Sequence, residues 1–514
     1  MALAQAGQSI PDILDCLAQL SNDEVPTPPK LARAMLDTLP ADVWSAADYT
    51  WLDPVCKSGV FLREAAARLL EGLAEWEPDF AKRRDHIYRR MLWGVSITEL
   101  TGMISRRSLY CSRDASGPQS VVPFRAESGN LPFVPAEHAF KSGRCAVCGA
   151  PEGLERGSAR ENYAYAFIHD AYPTKEMGDM KFDVIVGNPP YQIDDGGHNA
   201  SATPVYQHFV EAAIALDPRH VLMITPSRWF MGGKGLDKFR GRMLASKRMK
   251  VLVDYPKLYD GFPGVKIRGG VSYFLWDRDH DGPCSIQTMW DGLPLGPPVR
   301  RDLDAYDVLV RRNEAVSILE KVQAYRADGD PENTLDARVS AMKPFGLRTY
   351  FHGSAEPTGL SNAVKLYGSQ KVTWVERGDI PQNHDWIDEW KVLMSRVQGT
   401  SAAVETQFLG KPIVSGPGEA CTETYLVAGR FDTEAEALRY AAYLRTRFVR
   451  FLVSLRKSTQ DAARDVYAFV PEVPLDLEWT DAALYERYGI TDDEVAFIES
   501  QVKDMPAPVT PDRG

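Results

Sequence analysis

No apolar run in this chain approaches the roughly 20 positions a helix needs to cross a bilayer. The opening segment, MALAQAGQSIPDILDCL, lacks the basic stretch and long apolar core of a secretory leader. Cysteine is sparse as well: seven in 514 residues, an odd number thinly spread. That spread does not suggest a disulfide framework and makes a reducing cytosol the expected compartment. An excess of positive charge is also missing. Lys and Arg number 59 against 70 Asp and Glu, a net charge of -11, so the chain as a whole is no polycation. Only a contact face has to be positive to meet nucleic acid, however. Two basic stretches qualify: Lys238, Arg240, Arg242, Lys247, Arg248 and Lys250, and then Arg445, Arg447, Arg450, Arg456 and Lys457, the last followed by Ser458-Thr459-Gln460. Each reads equally well as the solvated face of a helix.

What is present is the balance of a folded protein, 44% hydrophobic and 25% charged, at a length that exceeds one ordinary core and implies two or three domains. Strand-like segments at Tyr49–Leu52, Met91–Ile97, Ala164–His169, Phe182–Val186, His220–Thr225, Val251–Asp254 and Gly270–Trp276 alternate with helical periodicity, clearest over Phe61–Leu73. This pattern predicts an α/β fold with a largely parallel sheet covered on both faces. Between 108 and 162 the periodicity fades, as in an insertion. Past Gly282 the chain turns rich in Gly and Pro, a linker or rim, followed by a mixed region with a long helical stretch at Glu434–Leu455 and a terminal helical pair capped by Thr480 and Thr491. The expected organisation is an N-terminal helical segment (1–47), a catalytic domain (48–281), a C-terminal mixed α+β domain (282–505) and a frayed tail (506–514).

The strongest local signal is FDVIVGNPPYQ, an apolar strand that ends abruptly in Asn188-Pro189-Pro190-Tyr191. Two prolines give no N–H to any ladder and stiffen the loop. They leave carbonyls at the carboxyl end of the sheet, where ligands of such folds bind. The Asn188 side-chain oxygen and the Pro189 carbonyl together could accept both N–H groups of an exocyclic amine. Tyr191 could stack on the base that carries it. Upstream, LDPVCKSGVFL places the small residues Ser58 and Gly59 in a turn before a helix, where a backbone can approach a ligand closely.

These residues resemble the amino-methylating DNA methyltransferases. Over NPPYQIDDGGHNASATPVYQHFVEAA, ITPSRWFMGGKGLDKFR and GGVSYFLWDRD, the chain is similar to methylases of the Eco57I restriction-modification class, with cofactor motifs preceding the catalytic motif in the gamma-type order. The resemblance implies a Rossmann-like fold that binds S-adenosylmethionine and a C-terminal target recognition domain, to which this sequence adds the cysteine-containing insertion at 108–162. It implies that Asp53 takes the ligand's ammonium and that Phe61 packs beside the cofactor. Asp170, just before the catalytic strand, would contact the cofactor's adenine, and Thr27 and Pro28, in VPTPP, would cover its methionine end. The family's acidic ribose ligand is replaced here by Ser96, which leaves Glu99 for that role, and Lys57 stands where the family has glycine. A side chain at 57 must point away from the cofactor, or the pocket is altered.

The implied substrate is adenine N6 in double-stranded DNA. Lys234, Lys238, Arg240, Arg456 and Lys457 would meet the DNA, and Phe274 would lie either on the far side of the flipped base or in the core. Release-factor glutamine methyltransferases share Asn-Pro-Pro-Tyr, but they need no recognition domain of some two hundred residues. N4-cytosine or RNA methylation, and a binding protein with impaired catalysis, stay open as alternatives. The few residues before Asp53 leave no room for a fused nuclease, so any cleavage would fall to a separate restriction or defence protein. The insertion carries Cys145-x-x-Cys148-Gly149, which with Cys111 and His138 suggests a four-coordinate structural zinc.

Overall fold

The computed structural model describes residues 25–152, 164–169, 171, 180–193, 203–257, 259–328, 333–397, 408–457 and 461–505. It divides into two compact units, Met1–Leu309 and Val310–Gly514. Among the described residues no helix is long and apolar enough to cross a membrane.

The first unit opens with α1 (Pro29–Leu36), where proline occupies a first-turn position that needs no N–H. The chain then runs through β1 (Trp51–Cys56), α2 (Val60–Gly72), α3 (Phe80–His86), β2 (Leu92–Ser96) and α4 (Glu99–Tyr110). After the insertion come β3 (Val184–Gly187), α5 (Tyr206–Ala215), β4 (His220–Pro226), α6 (Asp237–Ala245), β5 (Met249–Tyr255), β6 (Val271–Asp277) and β7 (Cys284–Trp290). The strands lie side by side in the order β7-β5-β6-β4-β3-β1-β2, with two short segments added beyond β7. Pairing is parallel throughout this series except at β6, which runs antiparallel to both β4 and β5. The expectation of a largely parallel α/β sheet therefore holds.

Side chains that alternate along each strand feed two apolar layers. From β6, Val271, Tyr273 and Leu275 join α1 and α2 on one face, while Phe274 and Trp276 join Phe209 of α5 and Phe239 of α6 on the other. Burial on both faces explains why these strands read as nearly continuous apolar runs.

Three expectations need correction. Ala164–His169 is not a strand: Ala166–Ile168 forms a single tight turn, closed by Ile168 N–H on the Tyr165 carbonyl at 3.1 Å. The sheet does not end at 281, because Cys284–Trp290 pairs in parallel with β5 and the compact unit continues to Leu309. The 108–162 region is only partly an insertion. Gly94 and Ser96 donate to the carbonyls of Asn130 and Pro132, each at 3.0 Å, and Phe133 bridges to Ser96 in parallel, so Asn130–Phe133 runs along the outer edge of β2.

The second unit begins with α7 (Glu314–Asp328) and carries two three-stranded sheets. One is built from Ala363–Tyr367, Val372–Glu376 and Glu419–Cys421, the other from Trp390–Ser395, Ile413–Ser415 and Tyr425–Phe431. Residues from both sheets share an apolar core that includes Val364, Leu366, Leu393 and Val427. The single helix expected over Glu434–Leu455 is two, α8 (Glu434–Arg445) and α9 (Arg447–Ser454). Thr446 is extended between them and caps the second with its hydroxyl. The Asp481 carboxylate accepts the freed N–H groups of Arg447 and Phe448 at 3.1 and 2.9 Å. The terminal pair, α10 (Asp481–Arg487) and α11 (Asp492–Gln501), starts at the Thr480 and Thr491 caps as expected.

Candidate active site

β3 ends at Gly187 and the chain turns at once through Asn188, Pro189 and Pro190, all buried. Asn188 is 3% exposed. Its Nδ2 donates to the Val25 carbonyl at 2.9 Å and to Thr27 Oγ1 at 3.1 Å. A carbonyl only accepts, so the Val25 contact fixes which end of the amide is nitrogen. Oδ1 therefore faces the other way, buried and without a hydrogen-bond partner among the described residues. An acceptor left in that state costs roughly 1–3 kcal/mol, which a ligand N–H would recover.

Tyr191 follows, its ring edge-on to Phe262 with centroids 6.4 Å apart. Burial pushes its phenol well above the usual range, with the Asn188 side chain acting weakly in the opposite direction. Pairing of Gln192–Ile193 with Thr203–Pro204 pins the chain beyond it.

Asp53 lies on the adjacent strand β1, buried, with Oδ1 accepting the Val55 N–H at 3.1 Å. Burial raises its carboxyl to about 7 against the pull of the Val55 N–H, the Cys56 side chain and the Lys57 charge. A carboxylate in this position gains from any cation brought beside it. Two glycines let the backbones close in around it. A Cβ on Gly187 would stand 2.9 Å from Val55 Cγ2 and 3.3 Å from Asp53 Oδ1. Gly59, left-handed at φ 72°, is the N-cap of α2, where a Cβ would stand only 2.9 Å from the Ser105 carbonyl oxygen of α4.

Lys57 does not point away from this site. It is 7% exposed, and its ammonium lies 6.0 Å from the centroid of the Tyr191 ring. The Lys57 side chain therefore turns toward the Asn188–Tyr191 loop, against the expectation that it points away. Ser96 is buried and faces α4, its hydroxyl 3.5 Å from that of Ser105. Glu99 is exposed in the first turn of α4, at the carboxyl end of β2, where a carboxylate also complements the helix N-terminus. Ser58 is buried in the β1–α2 turn, and Phe61 joins the apolar layer shared with α1. Thr27 reaches Asn188 directly, and Pro28, half-buried, caps α1. Asp170 lies outside the described residues.

The residues expected to face DNA fare unequally. Lys234 and Lys238 are exposed, the former at φ 50° in a loop with Gly232, Gly233 and Gly235. Arg240 instead turns back to the Met231 carbonyl and Asp237 and braces that loop. Arg242, Lys247 and Lys250 pair with Glu211, with Asp302 and Asp304, and with Asp277. In the second unit, Arg456 donates to the Asp465 carbonyl and lies over the Phe469 ring. Lys457, 6% exposed, donates to the Phe408 carbonyl, and burial pushes its ammonium down to about 8. Arg450 is fully buried, and burial lowers it to about 10. Arg450 and Lys457 thus brace the unit's interior, while Arg445, Arg447 and Arg456 are half-buried.

Phe274 is a core side chain, 0% exposed, on the sheet face opposite Tyr191. The aromatic that faces Tyr191 is Phe262, whose place in the sequence, inside GFPG, gave no periodic signal. The metal candidates are also revised. His138, Cys145 and Cys148 come together with His169, and Cys111 is the exposed, left-handed C-cap of α4, outside the group.

The profile of the Eco57I restriction-modification methylase family matches residues 90–262. An uncharacterized adenine-specific methylase of Mycoplasma pneumoniae is 36% identical over 307 residues, which cover 54% of this chain and 72% of that protein. Two solved structures show weaker likeness. A nuclease-deletion mutant of the Type ISP restriction-modification enzyme LlaGI, in complex with a DNA substrate mimic, aligns at 11% identity with a TM-score of 0.47, over 87% of this chain and 45% of that one. The DrdV–DNA complex aligns at 13% and 0.44, over 87% and 55%.

Proposed function

The chain belongs to the Eco57I restriction-modification methylase family, and on that premise we propose that it transfers a methyl group from S-adenosylmethionine to the N6 amine of an adenine flipped out of duplex DNA. One observation carries this reading: Asn188 Oδ1 is buried and unpaired while Nδ2 is anchored on both Val25 and Thr27. An anchored amide presents a fixed acceptor to an exocyclic N–H. It weakens the conjugation of that nitrogen's lone pair with the ring, so the neutral amine can take the methyl as the S–CH3 bond breaks and shed its proton afterwards, without any strong base beforehand.

S-adenosylmethionine, when bound, supplies an electrophilic methyl group on a positively charged sulfur. The residues present fit such a ligand: Asp53 is a buried carboxylate whose burial a cationic amine would relieve, and Gly187 lets β3 approach Asp53 where a Cβ would crowd it. In this reading Asp53 holds the ammonium, the Ser58–Gly59 turn lies against the methionine end, and Glu99 and Asp170 serve the ribose and adenine. Tyr191 and Phe262 flank the flipped base. Lys234 and Lys238 meet phosphates, and the second unit reads the target sequence.

The test is modified-base sequencing of DNA from cells that express the chain, beside an Asn188→Ala variant. N6-methyladenine in one sequence motif, absent in the variant, is expected. Equal methylation in both would remove Asn188 from the mechanism. The inward Lys57 favours a second reading, a protein that binds DNA without catalysis. Calorimetric titration with S-adenosylmethionine separates the two, since a lost pocket takes up none.

A further inference from the structure

His138, Cys145, Cys148 and His169 bring four ligand atoms within 4.8 Å of one another. Cys145 Sγ lies 3.5 Å from His169 Nε2, and Cys148 Sγ lies 3.4 Å from His138 Nδ1. In a tetrahedral zinc site, with Zn–S about 2.3 Å and Zn–N about 2.0–2.1 Å, neighbouring sulfur and nitrogen atoms stand about 3.6 Å apart. The observed separations match that edge. From these four side chains we propose that the chain holds a structural Zn²⁺ with a Cys₂His₂ ligand set.

The surroundings suit a metal better than a cluster of thiols. His169 Nδ1 is 2.8 Å from the Tyr165 carbonyl oxygen, which can only accept. The proton therefore sits on Nδ1, and the lone pair of Nε2 is turned toward Cys145, the orientation that a carbonyl imposes on metal-binding imidazoles. The two cysteines are presented by one turn: Gly149 is left-handed at φ 74°, its N–H returns to the Cys145 carbonyl at 3.0 Å, and the Cys145 N–H reaches the Ala150 carbonyl at 2.7 Å. A Cys145–Cys148 disulfide would leave both imidazoles aimed at sulfur without reason. Two thiolates and two imidazoles are the soft and borderline donors that select zinc over the hard cations. Four protein ligands close the shell, so the metal fastens and does not catalyse.

What it fastens is specific. The ligands join the 138–148 hairpin to the Ala166–Ile168 turn, and residue 170, the proposed cofactor contact, is one position beyond His169. The inference stands on the four side chains and not on the methyltransferase reading, and metal content reports on it independently of methyl transfer.

The test is zinc content by plasma mass spectrometry on the full, untagged chain and on the Cys111→Ser, Cys148→Ser and His169→Ala variants. About one zinc per chain is expected in the parent and in Cys111→Ser, falling at least about fivefold in the other two. A parent with less than about a tenth of an equivalent after growth with added zinc, or a His169→Ala chain that keeps its full metal, overturns the proposal. Should the variants fail to fold, Co²⁺ titration of the chelator-stripped parent decides: the visible bands of a tetrahedral thiolate–cobalt centre support the site, and a featureless spectrum sinks it.

Discussion

Asn188 Nδ2 donates to Thr27 Oγ1 at 3.1 Å across 161 positions of sequence, which ties the end of β3 to the segment entering α1. Thr27→Val removes that acceptor and leaves the Val25 carbonyl to hold the amide alone. One lost hydrogen bond of about 1 kcal/mol predicts a fall in kcat of roughly five- to tenfold, with Thr27→Ser restoring it. Unchanged single-turnover rates in Thr27→Val would show that Val25 suffices.

Asp53 sets a pH dependence. Its carboxyl titrates at about 7 in the fold against 3.8 unperturbed. Only the ionised form holds an ammonium, so affinity for S-adenosylmethionine should rise as pH increases through about 7 and then level off. Stability runs the opposite way. The raised value means that the fold pays nothing for this group below its unfolded pKa and pays in full above the folded one. Asp53→Asn should therefore raise Tm at about pH 8, with the gain shrinking toward about pH 5, while ligand affinity falls. Thermal scans and calorimetric titrations across that range check both signs.

Lys57 adds to this balance, because its charge opposes the upward shift of Asp53. Lys57→Met should move the midpoint of the binding profile to higher pH and weaken binding near neutrality. Tighter binding across the whole range would mean that the lysine ammonium competes with the ligand's own.

Phe262 and Phe274 separate by readout. Phe262→Leu should weaken the fluorescence rise of a 2-aminopurine placed at the target base and raise KM for DNA, by up to about 1–3 kcal/mol of lost stacking. Phe274→Leu should lower Tm and leave the fluorescence amplitude alone. An unaltered 2-aminopurine signal in Phe262→Leu would remove that ring from the base site.

Lys234→Ala with Lys238→Ala should flatten the salt dependence of DNA binding, each lost phosphate contact taking up to about 0.9 from the slope of log K against log salt. Lys457→Met should leave the slope intact, since its ammonium is committed to the Phe408 carbonyl.

The sheet was legible because strands buried on both faces leave unbroken apolar runs, and Asn-Pro-Pro-Tyr marked the end of β3 because prolines give a ladder no N–H. What the sequence concealed is three-dimensional. Cys111 and His169 are both near Cys145 in sequence terms, and only the fold discards one and recruits the other. Arg450 and Lys457 sit in a basic run that looks solvent-facing, yet backbone carbonyls supplied by distant segments take their charges inside. Phe262 sits in a turn with no period to betray it, whereas Phe274 lies in a strand buried on both faces, where an apolar run does not say which face a ring takes.

The strip Asn130–Phe133 beside β2 has a practical meaning for anyone shortening this protein. Cutting out the whole of 108–162 as a dispensable loop would strip the amides of Gly94 and Ser96 of their acceptors and bare a flat β margin, the usual template for aggregation. A trimmed version has to splice around those four residues, keeping them as a selvedge on the fabric.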